Sequence, residues 1–175
     1  MLHLEIIGYL AAIIIVVYIV VRNLNTQMTM NEEFKYHYQY PRLAMTIDAI
    51  IIAGISGEQK VLLIQRKFDP YKGFWALPGG FVGMEETLLE ACQRELKEET
   101  GLSGIVLNQF YTFDAVNRDP RHRTVSTVFY GLVKQIIPVQ GGDDAAQADW
   151  FPITSLPEMA FDHAEILRKF AKDKL

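Results

Sequence analysis

The sequence predicts an α/β fold: a mixed β-sheet sandwiched between helices, preceded by one hydrophobic helix at the N-terminus. Three observations predict it. Short runs rich in Ile, Val and Leu alternate with turn residues from 43 to 152, as strands do. Two stretches, 87–100 and 162–172, instead carry their apolar residues at helical spacing. Residues 2–21 form one apolar block in which His3 and Glu5 are the only side chains that carry charge near neutral pH. Strands interleaved with two helices bury their apolar faces when the helices cover a sheet.

At ~1.5 Å per residue the N-terminal block just crosses a bilayer core. It lacks a basic leader, and Ala11-Ala12 sit mid-segment, so an uncleaved anchor is expected in preference to a removed signal peptide. Arg22, Lys35 and Arg42 follow the block and Glu5 precedes it. Positive-inside bias then puts the C-terminal domain in the cytoplasm. The alternatives are a hydrophobic helix packed on a partner, and translation from Met28 or Met30, which would leave the protein cytoplasmic. The expected organisation is a single-span transmembrane anchor over 1–22, a linker or extended arm over 23–42, and a folded domain over 43–175. In the arm Tyr36, Tyr38 and Tyr40 alternate with His37 and Gln39, an extended period.

Within the domain, 43–55 reads as a strand, Gly57-Glu58 as a turn and 61–66 as its hairpin partner. Residues 74–77 are a short strand. Leu77-Pro78-Gly79-Gly80 then turns the chain and lets the backbone approach a ligand closely. Helix 87–100 has no internal Gly or Pro, and Gly101 stops it. Residues 104–115 and 124–134 are longer strands, 148–151 a short one, 153–157 a turn and 162–172 a closing amphipathic helix.

Helix 87–100 carries the chemistry. At ~100° per residue Leu88, Leu89, Cys92 and Leu96 make one apolar stripe, and Glu95, Glu98 and Glu99 fill an adjoining arc of roughly 100°. Carboxylates so close repel one another unless a cation or solvent intervenes. Hard oxygens converging from one face suit Mg²⁺, or Mn²⁺ in its place. The bland alternative is a solvated acidic face with Arg94 paired to Glu98. Glu86, near the helix start, would favour the N-terminus or brace the loop before it.

Net charge is −4, so no basic footprint points to nucleic acid. The single cysteine excludes an internal disulfide and fits a reducing compartment. Cys92 lies on the apolar stripe and reads as a buried structural thiol.

The spacing is longer than the three acids. Gly80, five residues, Glu86, seven residues, Arg94-Glu95, Leu96, Lys97, Glu98-Glu99, Thr100, Gly101, Leu102 resembles, position for position, the signature of the Nudix hydrolases. No motif position departs from it. The resemblance covers about 43–172 and implies a Nudix-type α/β/α sandwich acting on a nucleoside diphosphate linked to another group. It implies that Glu95, Glu98, Glu99 and the backbone at Gly80 hold the divalent cations, and that Arg94 orients the glutamates. It also implies a homodimer, since relatives are commonly dimers that share the substrate site.

Outside the signature, Asn117-Arg118-Asp119-Pro120-Arg121-His122-Arg123 sets three guanidiniums around a Pro turn. Such a loop can grip phosphate oxygens, or be no more than a solvated basic loop. Arg66 at a strand end facing the glycine turn is a phosphate contact or an ordinary strand-end charge, and Gly79 and Gly80 would meet the substrate through their backbone. Phe68 and Trp75 would stack an adenine or belong to the core. His163 has a cap or surface role, and Asp143 and Asp144 are turn formers. The Arg-Asp-Pro-Arg run, Trp150-Phe151-Pro152, Gly142-Asp143-Asp144-Ala145 and Phe161-Asp162-His163 resemble the ADP-ribose pyrophosphatase branch. The expected reaction is Mg²⁺-dependent hydrolysis of ADP-ribose, a nucleotide-sugar, to AMP and ribose 5-phosphate. The alternatives are oxidised or ordinary nucleoside triphosphates, NADH, or a non-catalytic ADP-ribose sensor. Such sensors carry an added winged-helix module, for which a chain ending at Leu175 leaves no room.

Overall fold

Strand β1, Ala44–Ala53, explains the architecture. Its run Ile47, Ala49, Ile51, Ala53 packs on one face, against Ala91, Cys92 and Leu96 of helix α1 (Leu88–Thr100). Its alternate residues Ile50 and Ile52 pack on the other, against Ile166, Leu167 and Phe170 of helix α2 (His163–Lys174). A strand covered on both faces must read as continuously apolar, as 49–53 does. Each fully buried Ile or Leu in these two layers contributes about 1.5–3 kcal/mol of transfer free energy.

The computed structural model describes residues 38–54, 58–142 and 145–175. The remaining strands are β2 (Lys60–Arg66), β3 (Trp75–Ala76), β4 (Gly79–Phe81), β5 (Asn108–Phe113), β6 (Thr124–Val133) and β7 (Ala145–Pro152). The sheet runs β3-β2-β1-β6-β5, with β4 paired to β1 and β7 to β2. β1 and β6 are parallel from Ala44↔Thr124 to Ala53↔Val133, and the other pairs are antiparallel, so the sheet is mixed as expected. Leu43–Leu175 forms one compact unit.

Several elements differ from expectation. Gly79 and Gly80 are not a turn but strand β4, in register with Asp48 and Ile47 of β1. Their close approach is to the sheet: a Cβ at Gly79 would lie 2.9 Å from Asp48 Cα. The expected strand 104–115 shortens to β5. Gly104 takes a positive φ of 72°, and Ile105 and Leu107 pack on the α1 layer instead of entering the sheet. Strand β7 starts at Ala145, earlier than its apolar pattern, because β2 supplies a full antiparallel partner. The anchor over 1–22, most of the arm over 23–42, Gly57, Asp143 and Asp144 lie outside the described residues. Among the described residues no helix is long and apolar enough to cross a membrane.

Candidate active site

Helix α1 is set by both its ends. Thr87 caps it and forms a capping box: the Glu90 N–H donates to Thr87 Oγ1 at 3.3 Å and Glu90 Oε2 accepts from Thr87 N–H at 2.8 Å. Gly101 ends it at φ 75°, its N–H donating to Lys97 O. The buried stripe Ala91, Cys92, Leu96 fixes the rotation, and that rotation turns the acidic arc toward β4. Burial pushes the Cys92 thiol up to about 12, helped by Asp48 and Glu95, so it is the inert structural thiol expected.

Arg94 is the hub of the arc. It holds Glu86 with two hydrogen bonds, Nε to Oε2 at 3.0 Å and NH2 to Oε1 at 2.7 Å. Its NH1 is shared by Glu95 Oε1 at 2.7 Å and Glu98 Oε2 at 3.1 Å, and its NH2 also reaches Phe81 O at 3.2 Å. Glu86 in turn accepts from Gly83 N–H at 2.6 Å and so braces the loop before the helix. Arg94, then the Gly83 N–H, hold the Glu86 carboxyl down at about 2, and the three glutamates raise the Arg94 pKa further. The pairing expected with Glu98 alone is thus one of five hydrogen bonds that Arg94 makes to four partners.

Glu99 is buried and its Oε2 accepts the Gly79 N–H at 2.9 Å, tying α1 to β4. Burial raises the Glu95 carboxyl above its ordinary range and outweighs the pull of Arg94. A Cβ at Gly80 would strike this carboxylate, so glycine is what lets strand and acid share the space. Glu98 is the outermost of the three, its side chain 43% exposed. The structure therefore gathers Gly79, Gly80, Arg94, Glu95, Glu98 and Glu99 into one corner. Among the described residues no three His, Cys, Asp or Glu side chains already converge as a closed metal cage. The reason is visible: Arg94 draws in Glu95 and Glu98, while Glu99 faces Gly79.

The arginine loop lies across the adjacent rim. Arg118, its side chain 5% exposed, makes a two-point contact with Asp162 at 2.9 and 2.7 Å. Arg121 makes one with buried Asp119 at 3.0 and 2.8 Å. Arg123 donates to the carbonyls of Thr124 and Ala115. Arg66 donates to Pro70 O at 2.8 Å, and both Arg66 and Arg121 lie over the Phe161 ring, at 4.9 and 5.6 Å from its centre. Arg121 also lies 5.4 Å from the exposed Phe81 ring. Trp75 belongs to the core, edge-on to Phe151 at 4.5 Å, whereas Phe68 is exposed. His163 is neither cap nor surface residue: it is buried, and its Nδ1 accepts the Leu77 N–H at 2.9 Å. Asp48 and Ser126 were not among the expected site residues, yet their side chains meet at 2.5 Å beneath β4. Polar residues inside buried apolar strands were the signal that could have found them.

One further observation decides the family: the family described as NUDIX domain matches residues 45–170, most of the chain. The chain belongs to the NUDIX domain family. It is 40% identical over 144 residues to an ADP-ribose pyrophosphatase of Methanocaldococcus jannaschii, covering 81% of each chain. It is 31% identical to the ADPR responsive transcriptional repressor NtrR of Acinetobacter baylyi, covering 84% of this chain and 62% of that one. Among solved structures, the NUDIX domain of Shewanella oneidensis NrtR complexed with ADP ribose aligns with a TM-score of 0.71 at 26% identity, over 81% of this chain and 96% of that one. The expectation of a Nudix pyrophosphohydrolase, a mixed α/β sheet included, is borne out.

Proposed function

We propose that this Nudix pyrophosphohydrolase cleaves ADP-ribose to AMP and ribose 5-phosphate with the help of Mg²⁺. The observation that carries the substrate is the 40% identity to an ADP-ribose pyrophosphatase, spread over 81% of both chains. The Arg94 hub supports the cation. One nitrogen of this guanidinium is already shared by Glu95 and Glu98, so the corner is built to surround positive charge. The donor set is all hard oxygen, which fits Mg²⁺ or Mn²⁺. Glu95, Glu98, Glu99 and the Gly80 backbone would hold it, and when bound it would neutralise diphosphate charge and acidify a water.

The chain supplies the rest. Glu95, whose burial raises its proton affinity, is the first candidate to take the proton of the attacking water, and Glu99 is the second. Arg94 orients Glu95 and Glu98 while its two-point hold on Glu86 keeps the guanidinium itself in place. Arg66, Arg121 and Arg123 would meet the phosphates from the rim, Arg66 and Arg121 being aligned by the Phe161 ring. Arg118, gripped by Asp162, holds the loop that carries Arg121 and Arg123. Gly79 and Gly80, lacking a Cβ, leave room for β1 and for the Glu95 carboxylate, and would meet the diphosphate through their backbone.

Chromatographic product assays with Mg²⁺ on ADP-ribose, NADH and a nucleotide panel test this reading, AMP and ribose 5-phosphate being the products expected from ADP-ribose. Preference for ADP-ribose supports it, and preference for an oxidised nucleoside triphosphate or NADH would replace the substrate. Tight ADP-ribose binding without turnover would favour the sensor reading, which the 31% identity to a repressor keeps in view. The anchor over 1–22 with a cytoplasmic domain rests on the sequence, and the homodimer on the resemblance. Membrane fractionation of the full chain and light scattering test these.

A further inference from the structure

His163 is a buried histidine that the reaction above does not use, and it sits where two parts of the site meet. Its Nδ1 accepts the Leu77 N–H at 2.9 Å, so its proton is on Nε2, which faces Asp48 Oδ1 at 3.5 Å. Asp48 is buried, accepts from Ser126 Oγ at 2.5 Å, and is paired across the sheet with Gly79. Arg118 NH2 lies 3.8 Å from Asp48 and is held by Asp162, the residue before His163. Leu77 and Pro78 lead directly into β4, where the Gly79 N–H meets Glu99 and Gly80 meets Glu95. The adjacent pair Asp162 and His163 therefore grips the arginine loop with one side chain and the start of the catalytic strand with the other.

We infer that His163 is a positioning residue for hydrolysis: in its neutral form it aligns the Leu77 peptide, and through it β4, against Glu95 and Glu99. The inference rests on the hydrolase reading of the corner, not on ADP-ribose being the substrate. Two further features agree with it. Burial lowers the His163 pKa, against the pull of Asp48 and Asp162 and with the push of Arg118 and Arg66, which are the charged groups facing it from β1, the α2 start, the arginine loop and β2. Protonation at Nδ1 would replace an acceptor with a donor facing the Leu77 N–H, so the alignment is lost on acidification.

The test uses the full chain, His163→Asn (whose carboxamide oxygen can still accept) and His163→Leu (which cannot). Activity is measured on whichever diphosphate of the panel the wild type turns over fastest. His163→Leu should lose about tenfold to a hundredfold in kcat with KM within about twofold, the scale of a small misplacement at a distance. His163→Asn should recover most of that loss and flatten the acid limb of the kcat–pH profile. Independently of any substrate, the Leu77 amide should exchange with solvent faster in His163→Leu and stay protected in His163→Asn. Wild-type kcat and an unchanged acid limb in both variants, with only the melting temperature lowered, would overturn the inference. So would an unchanged Leu77 exchange rate in His163→Leu. If His163→Leu does not fold, the His163→Asn profile and amide protection decide the matter alone. Failure to cleave ADP-ribose would leave these outcomes untouched.

Discussion

Gly80→Ala is the sharpest test of how the corner is built. A Cβ there would lie 2.5 Å from Glu95 Cδ and 2.9 Å from Oε2, where ordinary contact starts at 3.4 Å. The Glu95 carboxyl group, whose Oε1 is nearer still, must therefore retreat by about 1 Å to relieve the clash, and a shift of that order at a reacting group costs about a hundredfold in rate. That factor corresponds to about 2.7 kcal/mol of transition-state stabilisation. The retreat is feasible because what the Cβ meets is the end of a side chain, anchored by one 2.7 Å hydrogen bond to Arg94. The fold should thus survive, with unchanged far-ultraviolet dichroism and a melting temperature within a few degrees. Gly79→Ala is the control. There the new Cβ meets the Ile47 carbonyl and Asp48 Cα, which are backbone, so overpacking of about 1–3 kcal/mol should appear as lost stability. Steady-state kinetics and thermal melts of the two proteins check both. A Gly80→Ala enzyme with wild-type kcat would refute the claim that Glu95 acts from this position.

Other outcomes follow from single contacts. Glu98→Gln and Glu99→Gln should each lose orders of magnitude in turnover with the fold intact, as AMP formation and dichroism would record. In Glu99→Gln the new carboxamide oxygen still accepts the Gly79 N–H, so β4 stays tied to α1. Arg118→Leu leaves Asp162 and buried Asp48 without their cation, and should cost about 3–5 kcal/mol in urea unfolding. Thr87→Ala removes the helix cap and should cost about 1 kcal/mol in the same assay. The Glu86 carboxyl is depressed from 4.5 to about 2, so its stabilisation is complete above pH 4.5 and is lost as pH falls toward 2. Glu86→Gln should accordingly flatten the stability–pH curve in that window, as chemical unfolding at several pH values would detect.

What the sequence could reveal was what local periodicity encodes. The acidic arc of α1 follows from the 3.6-residue turn, its stop from Gly101, and β1 from a run rich in Ile and Ala. The misreadings share a cause: each depends on a partner far away in the chain. Gly79 and Gly80 carry no strand propensity and are a strand because β1 provides the ladder. Gly104 to Leu107 has strand composition but packs sideways on α1. His163 looked like a helix-start residue because its acceptor role needs Leu77, 86 positions away. Arg118 and Asp162 belong to separate motifs, and nothing local announces that one grips the other.

The Arg94 network explains how three acids can share a corner before any metal arrives. Three clustered carboxylates repel, and an isolated cluster would shed charge by taking up protons or by turning toward solvent. Here one guanidinium takes up the repulsion between Glu95 and Glu98, with directed bonds because it is planar and forked, while Glu99 is held apart by the Gly79 N–H. Its affinity is divided unequally. Glu86 and the Phe81 carbonyl hold Arg94 through Nε and NH2, whereas Glu95 and Glu98 share NH1 alone. Glu95 and Glu98 are thus the carboxylates most easily released to another cation, and Glu86 is the one that keeps Arg94 from leaving when they go. Removing Glu86 should therefore weaken activity even though Glu86 is not among the proposed ligands: a Glu86→Gln enzyme lets Arg94 fall onto Glu95 and Glu98 and compete with Mg²⁺. The concentration of Mg²⁺ needed for half-maximal turnover should rise in that variant, while kcat at saturating Mg²⁺ should change far less. An unchanged Mg²⁺ requirement would mean that Arg94 is held by the glutamates of α1 and not by the loop.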